Sequence, residues 1–464
     1  MNISYKINSH RFSYDLEHLI RAFFPDCNVK KDKEQFDIQV EAIIDELKFS
    51  IKIYDKEGYQ NQLEGTFINI QSEDKKLFGK AVYNILKIYT KRDLPWGILT
   101  GIRPTKIVYD LIKKEIDIND IPNVLEKDYL ISTKKRDILT EVAIKEIDII
   151  NSIPNNAAAL YVGIPICPSI CLYCSFSCIE SNFSELINKY TDALIKHIEE
   201  IAKQIEKDKK KIVAIYFGGG TPTTIGINNI ERIFRRIFSI LDMKYINEIT
   251  FEAGRPDTID KNILEVLKDR ITRICINPQS ANNETLTKIG RNHSFEDIVK
   301  AFELSRAFGI NNINSDLIIG LPDENIEDYL NTLNKVIELN PASITIHTLS
   351  IKRSSKLKME VENYNFMSAE DANYCIDESF NKLKKHQYFP YYLYRQKNMI
   401  GNFENIGYSK KGYEGLYNCM IMQEKHNIYA CGAKSVSKYI FENDRIERVF
   451  NPADINLYIK RILG

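Results

Sequence analysis

ALYVGIPICPSICLYCSFSC, residues 159–178, decides how this chain is read, because it sets four of the nine cysteines directly behind a run with strand character. Short β-rich runs of the same kind recur downstream: IVAIYFGGG (212–220), EITFEAG (248–254), RICINPQS (273–280), NINSDLIIG (312–320) and SITIHTLSI (343–351). Stretches with helical spacing lie between them, such as SELINKYTDALIKHIEEIAKQI (184–205) and NIERIFRRIFSIL (229–241). A strand followed by a helix, six times over, predicts parallel βα units in an α/β fold. Six units are too few for a closed eight-fold barrel, which leaves an open partial (β/α)6 barrel or a doubly wound sheet. In either one, chemistry belongs at the C-terminal ends of the strands.

On both sides of this core the pattern changes, which predicts three segments: 1–155, 156–358 and 359–464. The first reads as a mixed α/β domain, with helical spacing in SYDLEHLIRAFF (13–24) and in DKKLFGKAVYNILKIYTK (74–91). Between them FDIQVEAIIDELKFSIKIYD (36–55) alternates apolar and polar residues about a turn, as a hairpin does. LPWGILTGIRPTKI (94–107) holds the sole tryptophan, Trp96, with Arg103 and Lys106 as a solvated helix start or an anion contact. The last segment, rich in aromatic residues and glycine, reads as an α+β cap over the barrel mouth.

Composition narrows the class of function. The 63 basic and 63 acidic residues cancel, so no whole-chain charge drives the protein toward nucleic acid or an anionic membrane. No run approaches the ~18 apolar residues of a membrane span, and the N-terminus has no signal-peptide core. The expectation is a cytoplasmic protein, where clustered cysteines mean metal or redox chemistry rather than disulfides.

Cys167, Cys171 and Cys174 form C-x3-C-x2-C just after the first strand. Thiolates are soft ligands suited to zinc or to iron–sulfur clusters. Cys178 could close a zinc tetrahedron or a four-thiolate cluster, whereas three cysteines would leave one iron of a [4Fe–4S] cluster open. The run alone leaves these alternatives standing. Downstream, Gly218, Gly219 and Gly220 end the second strand, either as a tight turn or as a close approach to a ligand. Glu252 ends the third strand, Gln279 ends the fourth and Asp316 begins the fifth, so polar groups gather where strands meet their loops. Cys27, Cys275, Cys375, Cys419 and Cys431 are scattered and read as buried small hydrophobes.

The cysteine spacing, with aromatic Tyr173 before the last cysteine, resembles the radical S-adenosylmethionine (SAM) superfamily. YVGIPICPSICLYCSF, YFGGGTPT, FEAGRPDTI, INPQSANNETLTKIGRNHS and INSDLIIGLP resemble its oxygen-independent coproporphyrinogen III oxidase group. EAGRPDTI, IHTLSIKRSSKL, YYLYRQKNMIGNFENIGY and WGILTGIRPTKI are similar to the HemZ-type branch of coproporphyrinogen dehydrogenases. The resemblance implies a radical SAM partial barrel carrying a [4Fe–4S] cluster on Cys167, Cys171 and Cys174, with Cys178 a bystander. It implies one or two SAM molecules, contacted by Tyr173, Gly219, Gly220, Thr221, Glu252 and Gln279. Arg291 and Asp316 are expected at the ribose, Ile318 at the adenine and Tyr161 at the reacting centre. The family's reaction is oxidative decarboxylation of two propionates of coproporphyrinogen III to vinyl groups by a 5′-deoxyadenosyl radical. The product is protoporphyrinogen IX, in anaerobic haem biosynthesis.

A substrate with four carboxylates calls for cationic and amide donors, and Arg395, Gln396, Lys397 and Asn398 supply them among aromatic residues. Lys352 and Arg353 are a second, weaker set. His293 and His347 read as structural hydrogen-bonders near the mouth. The expected partners are coproporphyrinogen III and a flavodoxin- or ferredoxin-type electron donor, and the expected state is a monomer without nucleic acid or membrane. Alternatives are a haem chaperone of the same family, a radical enzyme that cleaves haem or transfers methyl groups, and a closed-cluster electron carrier using Cys178. The chain has HNIYAC (426–431) where the chaperones carry HNxxYW, so it lacks their tryptophan.

Overall fold

A computed structural model describes all residues except 26, 69, 70, 102, 177, 178, 182, 183, 397, 398, 443 and 444, together with all side chains but those at these positions and at 71 and 72. The chain separates into two compact units, Met1–Ala143 with Arg395–Phe403, and Ile144–Tyr394 with Glu404–Gly464.

The first unit is built on the strands β1 (Asn2–Ile7), β2 (Asn28–Lys31), β3 (Ile38–Asp45), β4 (Lys48–Asp55) and β5 (Gln60–Thr66), in the order β2-β1-β3-β4-β5. The alternation in 36–55 forms the antiparallel β3/β4 hairpin, which turns at Glu46 in the left-handed region with φ 46°. β1 pairs parallel with both β2 and β3, the first through a helix crossover (His10–Phe23). That helix and a second one (Gln71–Thr90) bury Phe12, Leu16, Phe23, Phe78, Val82 and Leu86 against Ile3, Val40, Ile51 and Ile53.

The second unit carries the βα units: β6 (Ala157–Ile164), the short pair β7 (Ile166–Cys167) and β8 (Ile179–Glu180), then β9 (Lys211–Gly219), β10 (Glu248–Gly254), β11 (Arg273–Ile276), β12 (Ile313–Ile319) and β13 (Ser343–Thr348). β6 and β9 to β13 neighbour one another in sequence order and pair parallel throughout. A doubly wound sheet would reverse its strand order midway, so this monotonic order selects the partial barrel.

The remaining strands are β14 (Phe389–Arg395), β15 (Glu404–Ser409), β16 (Asn427–Cys431), β17 (Val436–Ile440) and β18 (Ile446–Phe450). They correct the expectation of a separate cap at 359–464. β15 adds antiparallel to β13, with β14 outside it, whereas β16 adds parallel to β6, followed by β17 and β18. Among the described residues one sheet thus runs β14-β15-β13-β12-β11-β10-β9-β6-β16-β17-β18. The physical reason is that an open barrel exposes two strand edges with unpaired amides, and these later strands cover both. The first division of the chain also falls near residue 143 rather than 155, and Arg395–Phe403 belongs with the first unit.

Strand register fixes what the barrel encloses. Thr250 lies opposite Arg273, Glu252 and Asn314 lie opposite Cys275, and Ile318 lies opposite His347. With a period of two, Glu252, Cys275, Asp316 and His347 therefore share one face. Deeper in, Arg273 is fully buried and donates to Asn314 Oδ1 (2.8 Å) and Ser343 Oγ (3.0 Å). Glu248 accepts from the amides of Leu416 (2.6 Å) and Tyr417 (3.2 Å), capping the helix Leu416–Gln423 at its positive end.

Candidate functional site

The cysteine loop leaves β6 and is tied down along its length. Gly220 and Thr221 donate backbone hydrogen bonds to Ile164 O (2.9 Å) and Ile166 O (2.8 Å), which fixes the approach to Cys167. Leu172 N bonds to Ile289 O (2.9 Å), and Ser169 Oγ to Gly290 O (2.9 Å). A tight turn, Cys174 N to Cys171 O at 3.1 Å, brings the last two cysteines together. Cys167, Cys171 and Cys174 are half-buried thiols outside any disulfide. Thr221 Oγ1 lies 3.6 Å from Cys167 Sγ, and Arg255 Nη1 lies 4.0 Å from Cys171 Sγ. Cys178, read from the sequence as a bystander, lies outside the described residues.

The glycines of β9 are explained first by packing. A Cβ at Gly220 would stand 2.6 Å from Ile166 O and 2.9 Å from Ile164 O, both backbone atoms that cannot swing away. At Gly218 it would meet the Tyr216 ring at 2.9 Å and the Glu252 carboxyl carbon at 3.5 Å. Gly219 has φ +106°. Close approach of the β9 end to β6 and β7 is what these glycines permit.

Beyond them the strand ends converge. Glu252 is half-buried, accepts a short hydrogen bond from Tyr216 Oη and is pushed up to about 7, mainly by burial and further by the Asp316 charge. Asp316 accepts from Asn314 Nδ2 (2.8 Å) and lies 3.7 Å from His347 Nε2. Burial opposes its ionisation, yet the hydrogen bonds from His347 and Asn314 hold it below the usual carboxylate range. The two carboxyls are thus driven in opposite directions. Tyr216 stacks on Tyr417 at 4.5 Å, and Tyr161 lies 6.2 Å from both rings, an aromatic wall beside Glu252.

Gln279 is 8% exposed and has φ +68°, uncommon for a residue with a side chain. Its backbone is held on both sides, N to Asp316 O (3.0 Å) and O from Ile318 N (3.1 Å). Arg291, 4% exposed, gives Nη2 to Gly254 O (2.7 Å) and Asn277 O (2.6 Å). It also hydrogen-bonds Tyr173, whose hydroxyl is pushed up by burial. Gln279 Oε1, Asn277 Oδ1 and Arg291 Nε are buried without a hydrogen-bond partner among the described residues. Buried polar atoms are nearly always satisfied, so an acceptor, a second acceptor and a donor left open at neighbouring strand ends fit a polar ligand. Ile318 is 6% exposed and offers an apolar surface on the same face.

Among the described residues no three His, Cys, Asp or Glu side chains are grouped to hold a single metal ion. Cys167, Cys171 and Cys174 are soft thiol donors outside any disulfide, so the residues present fit an iron–sulfur cluster.

Tyr161, Tyr173, Gly219, Gly220, Thr221, Glu252, Gln279, Arg291, Asp316 and Ile318 thus stand around the cysteine loop and the C-terminal strand ends. Arg395 is 2% exposed in the first unit, where it donates to Leu99 O (2.6 Å) and Asn402 O (2.7 Å) and lies 5.3 Å over the Trp96 ring. A guanidinium so committed anchors its own segment. Gln396 is half-buried in that segment, and Lys397 and Asn398 lie outside the described residues. The His293 side chain is shielded from solvent and its imidazole is pushed down to about 3, chiefly by burial, which favours the neutral form.

Sequence reasoning missed Arg255, Ser169, Asn277, Tyr216 and Tyr417. Arg255 carried a signal, since an arginine between the last residue of a barrel strand and a proline stands directly at the mouth.

A family model described as the radical SAM superfamily matches residues 161–336. The chain is 34% identical to the oxygen-independent coproporphyrinogen-III oxidase-like protein HemZ of Bacillus subtilis, over 98% of this chain and 94% of that protein. It is 27% identical to the heme chaperone HemW of Escherichia coli, over 62% of this chain and 72% of that one. In structure it is similar to coproporphyrinogen III oxidase (HemN) from Escherichia coli, described as a radical SAM enzyme. That match has a TM-score of 0.54 at 20% identity and covers 69% of this chain and 72% of the other.

Proposed function

The chain belongs to the radical SAM superfamily and, within it, to the oxygen-independent coproporphyrinogen-III oxidase-like family, and from that premise we propose that it oxidatively decarboxylates a porphyrinogen without oxygen. In its finer form the reaction converts two propionates of coproporphyrinogen III to vinyl groups, giving protoporphyrinogen IX in haem biosynthesis. Each conversion removes one hydrogen atom, one carbon dioxide and one further electron from the substrate. When bound, a [4Fe–4S] cluster and SAM supply the carbon radical that takes the hydrogen.

In this reading Cys167, Cys171 and Cys174 hold the cluster, with one iron left to SAM. Tyr173, Gly219, Gly220 and Thr221 line the cysteine side of the cofactor. Gln279 Oε1 and Arg291 Nε give it an acceptor and a donor, Asp316 a charged acceptor, and Ile318 an apolar face. Glu252, poised near neutrality beside Tyr216, takes or returns a proton at its carboxyl oxygen according to what binds. Tyr161 borders the reacting centre through the aromatic wall. Gln396, Lys397 and Asn398 are the proposed carboxylate donors, and a flavodoxin- or ferredoxin-type protein is the proposed electron source.

The observation that carries this reading is the set of buried polar atoms without protein partners at the strand ends beside the three thiols. The test is anaerobic reconstitution with iron and sulfide, then incubation with SAM, reductant and coproporphyrinogen III. Formation of 5′-deoxyadenosine together with carbon dioxide and vinyl product is expected. 5′-Deoxyadenosine without decarboxylation sinks the substrate assignment. A stoichiometric haem complex without turnover replaces it with a haem-carrier reading, the role named for the HemW relatives.

A further inference from the structure

Resting on the cluster assignment above, we propose that Arg255 is a positioning residue that sets the reduction potential of the cluster through Cys171. Arg255 follows β10 directly and is 3% exposed. Its three nitrogens are used in two directions. Nε and Nη2 face the two oxygens of Asp257 at 3.2 and 3.3 Å. Nη1 donates to Ser169 Oγ at 2.9 Å and reaches Cys171 Sγ at 4.0 Å. Ser169 in turn donates to Gly290 O at 2.9 Å, so the arginine, the loop between the first two cysteines and the segment before Arg291 form one continuous chain of contacts.

A planar guanidinium gripped by a carboxylate on one edge has little freedom on the other. Its charge is therefore delivered to the Cys171 sulfur at a fixed place, inside protein where screening by water is weak. Cluster potentials respond to net charge and to hydrogen bonds on the sulfurs. Reduction adds an electron to the cluster and its thiolates, and a cation beside one thiolate stabilises that added negative charge. Arg255 thus raises the potential, and Asp257 offsets part of the effect by placing a carboxylate behind the guanidinium. The pair acts as a two-sided adjustment. The arginine eases electron entry, and the aspartate keeps the reduced cluster strongly reducing.

The two residues carry opposite predictions, which separates tuning from mere support of the loop. Reconstituted wild-type protein, Arg255→Met and Asp257→Asn are assayed for iron and sulfide, then titrated anaerobically with reductant and followed by electron paramagnetic resonance without SAM. Arg255→Met is expected to shift the midpoint to more negative potential, and Asp257→Asn to shift it to more positive potential. An unmoved midpoint in iron-replete Arg255→Met overturns the proposal. So does a negative or absent shift in Asp257→Asn, which also decides the matter if Arg255→Met fails to retain iron. A wild-type chain that takes up no cluster refutes the cluster assignment itself, a result distinct from either of these.

Discussion

Glu252 shows how far one residue's surroundings can be turned into a measurement. Its carboxyl is raised from 4.5 to about 7, so between those values the folded chain holds a proton that the unfolded chain has lost. Stability therefore falls as pH rises through this window and levels off above it. The shift corresponds to ~3 kcal/mol, and the solvent still reaching a half-buried group reduces the expected cost to about 2 kcal/mol. Glu252→Gln removes the titration, so the variant should gain about 2 kcal/mol over wild type between pH 5 and pH 8. Denaturant unfolding of the cluster-free chain at both pH values checks this, and a pH-independent difference would show that burial does not govern the group. At this scale the sequence was informative where a polar residue interrupts or follows an apolar run, as at Glu252 within β10, Gln279 just beyond β11 and Asp316 within β12. It was silent on Ser169 and Asn277, whose meaning depends on atoms brought close only by the fold. It was equally silent on the partners of Arg395. A basic residue among aromatics reads as a ligand for carboxylates, and nothing local announces that Leu99 and Asn402 already hold it.

The connection from β9 into its following helix offers a test at the level of the element, because two glycines there do different work. Gly220 has backbone of Ile164 and Ile166 within 3 Å of where a Cβ would sit. Gly226 has φ +83° and nothing within 4 Å. Gly226→Ala is expected to cost about 1–3 kcal/mol of stability, because φ +83° with ψ 157° is a region nearly confined to glycine, while leaving SAM and iron binding intact. Gly220→Ala must push β7 and Cys167 away, so iron content and SAM affinity should both fall at least tenfold relative to Gly226→Ala. Iron analysis and equilibrium dialysis with labelled SAM distinguish the two, and equal behaviour would mean that the glycine run is only a turn. The six barrel strands were legible because each is an apolar run with its helix close behind. The β3/β4 hairpin was legible because alternation is a local property. The strands β16, β17 and β18 were not, since five-residue runs that pair with a distant partner carry no periodicity of their own, and they read as a cap.

For the molecule as a whole, each unit buries its own apolar core, so the chain should unfold in two calorimetric transitions. Leu16, fully buried among Phe12, Ile20 and Phe23, belongs only to the first core. Leu16→Ala should lower one transition, by 2–5 kcal/mol on the usual scale for such truncations, and leave the other unmoved. A joint shift of both would show that the cores melt together. The division into units was only partly legible, because residues 395–403 return to the first unit from a region that reads as continuous with the last. The parallel pairing of β16 with β6 bears on biosynthesis. Cys431 Sγ contacts Tyr161 O across 270 residues of sequence, so the strand that launches the cysteine loop waits for a partner the ribosome delivers long afterwards. Contacts of such separation form late. The nascent chain therefore presents Cys167, Cys171 and Cys174 before β16 has been made to pair with β6.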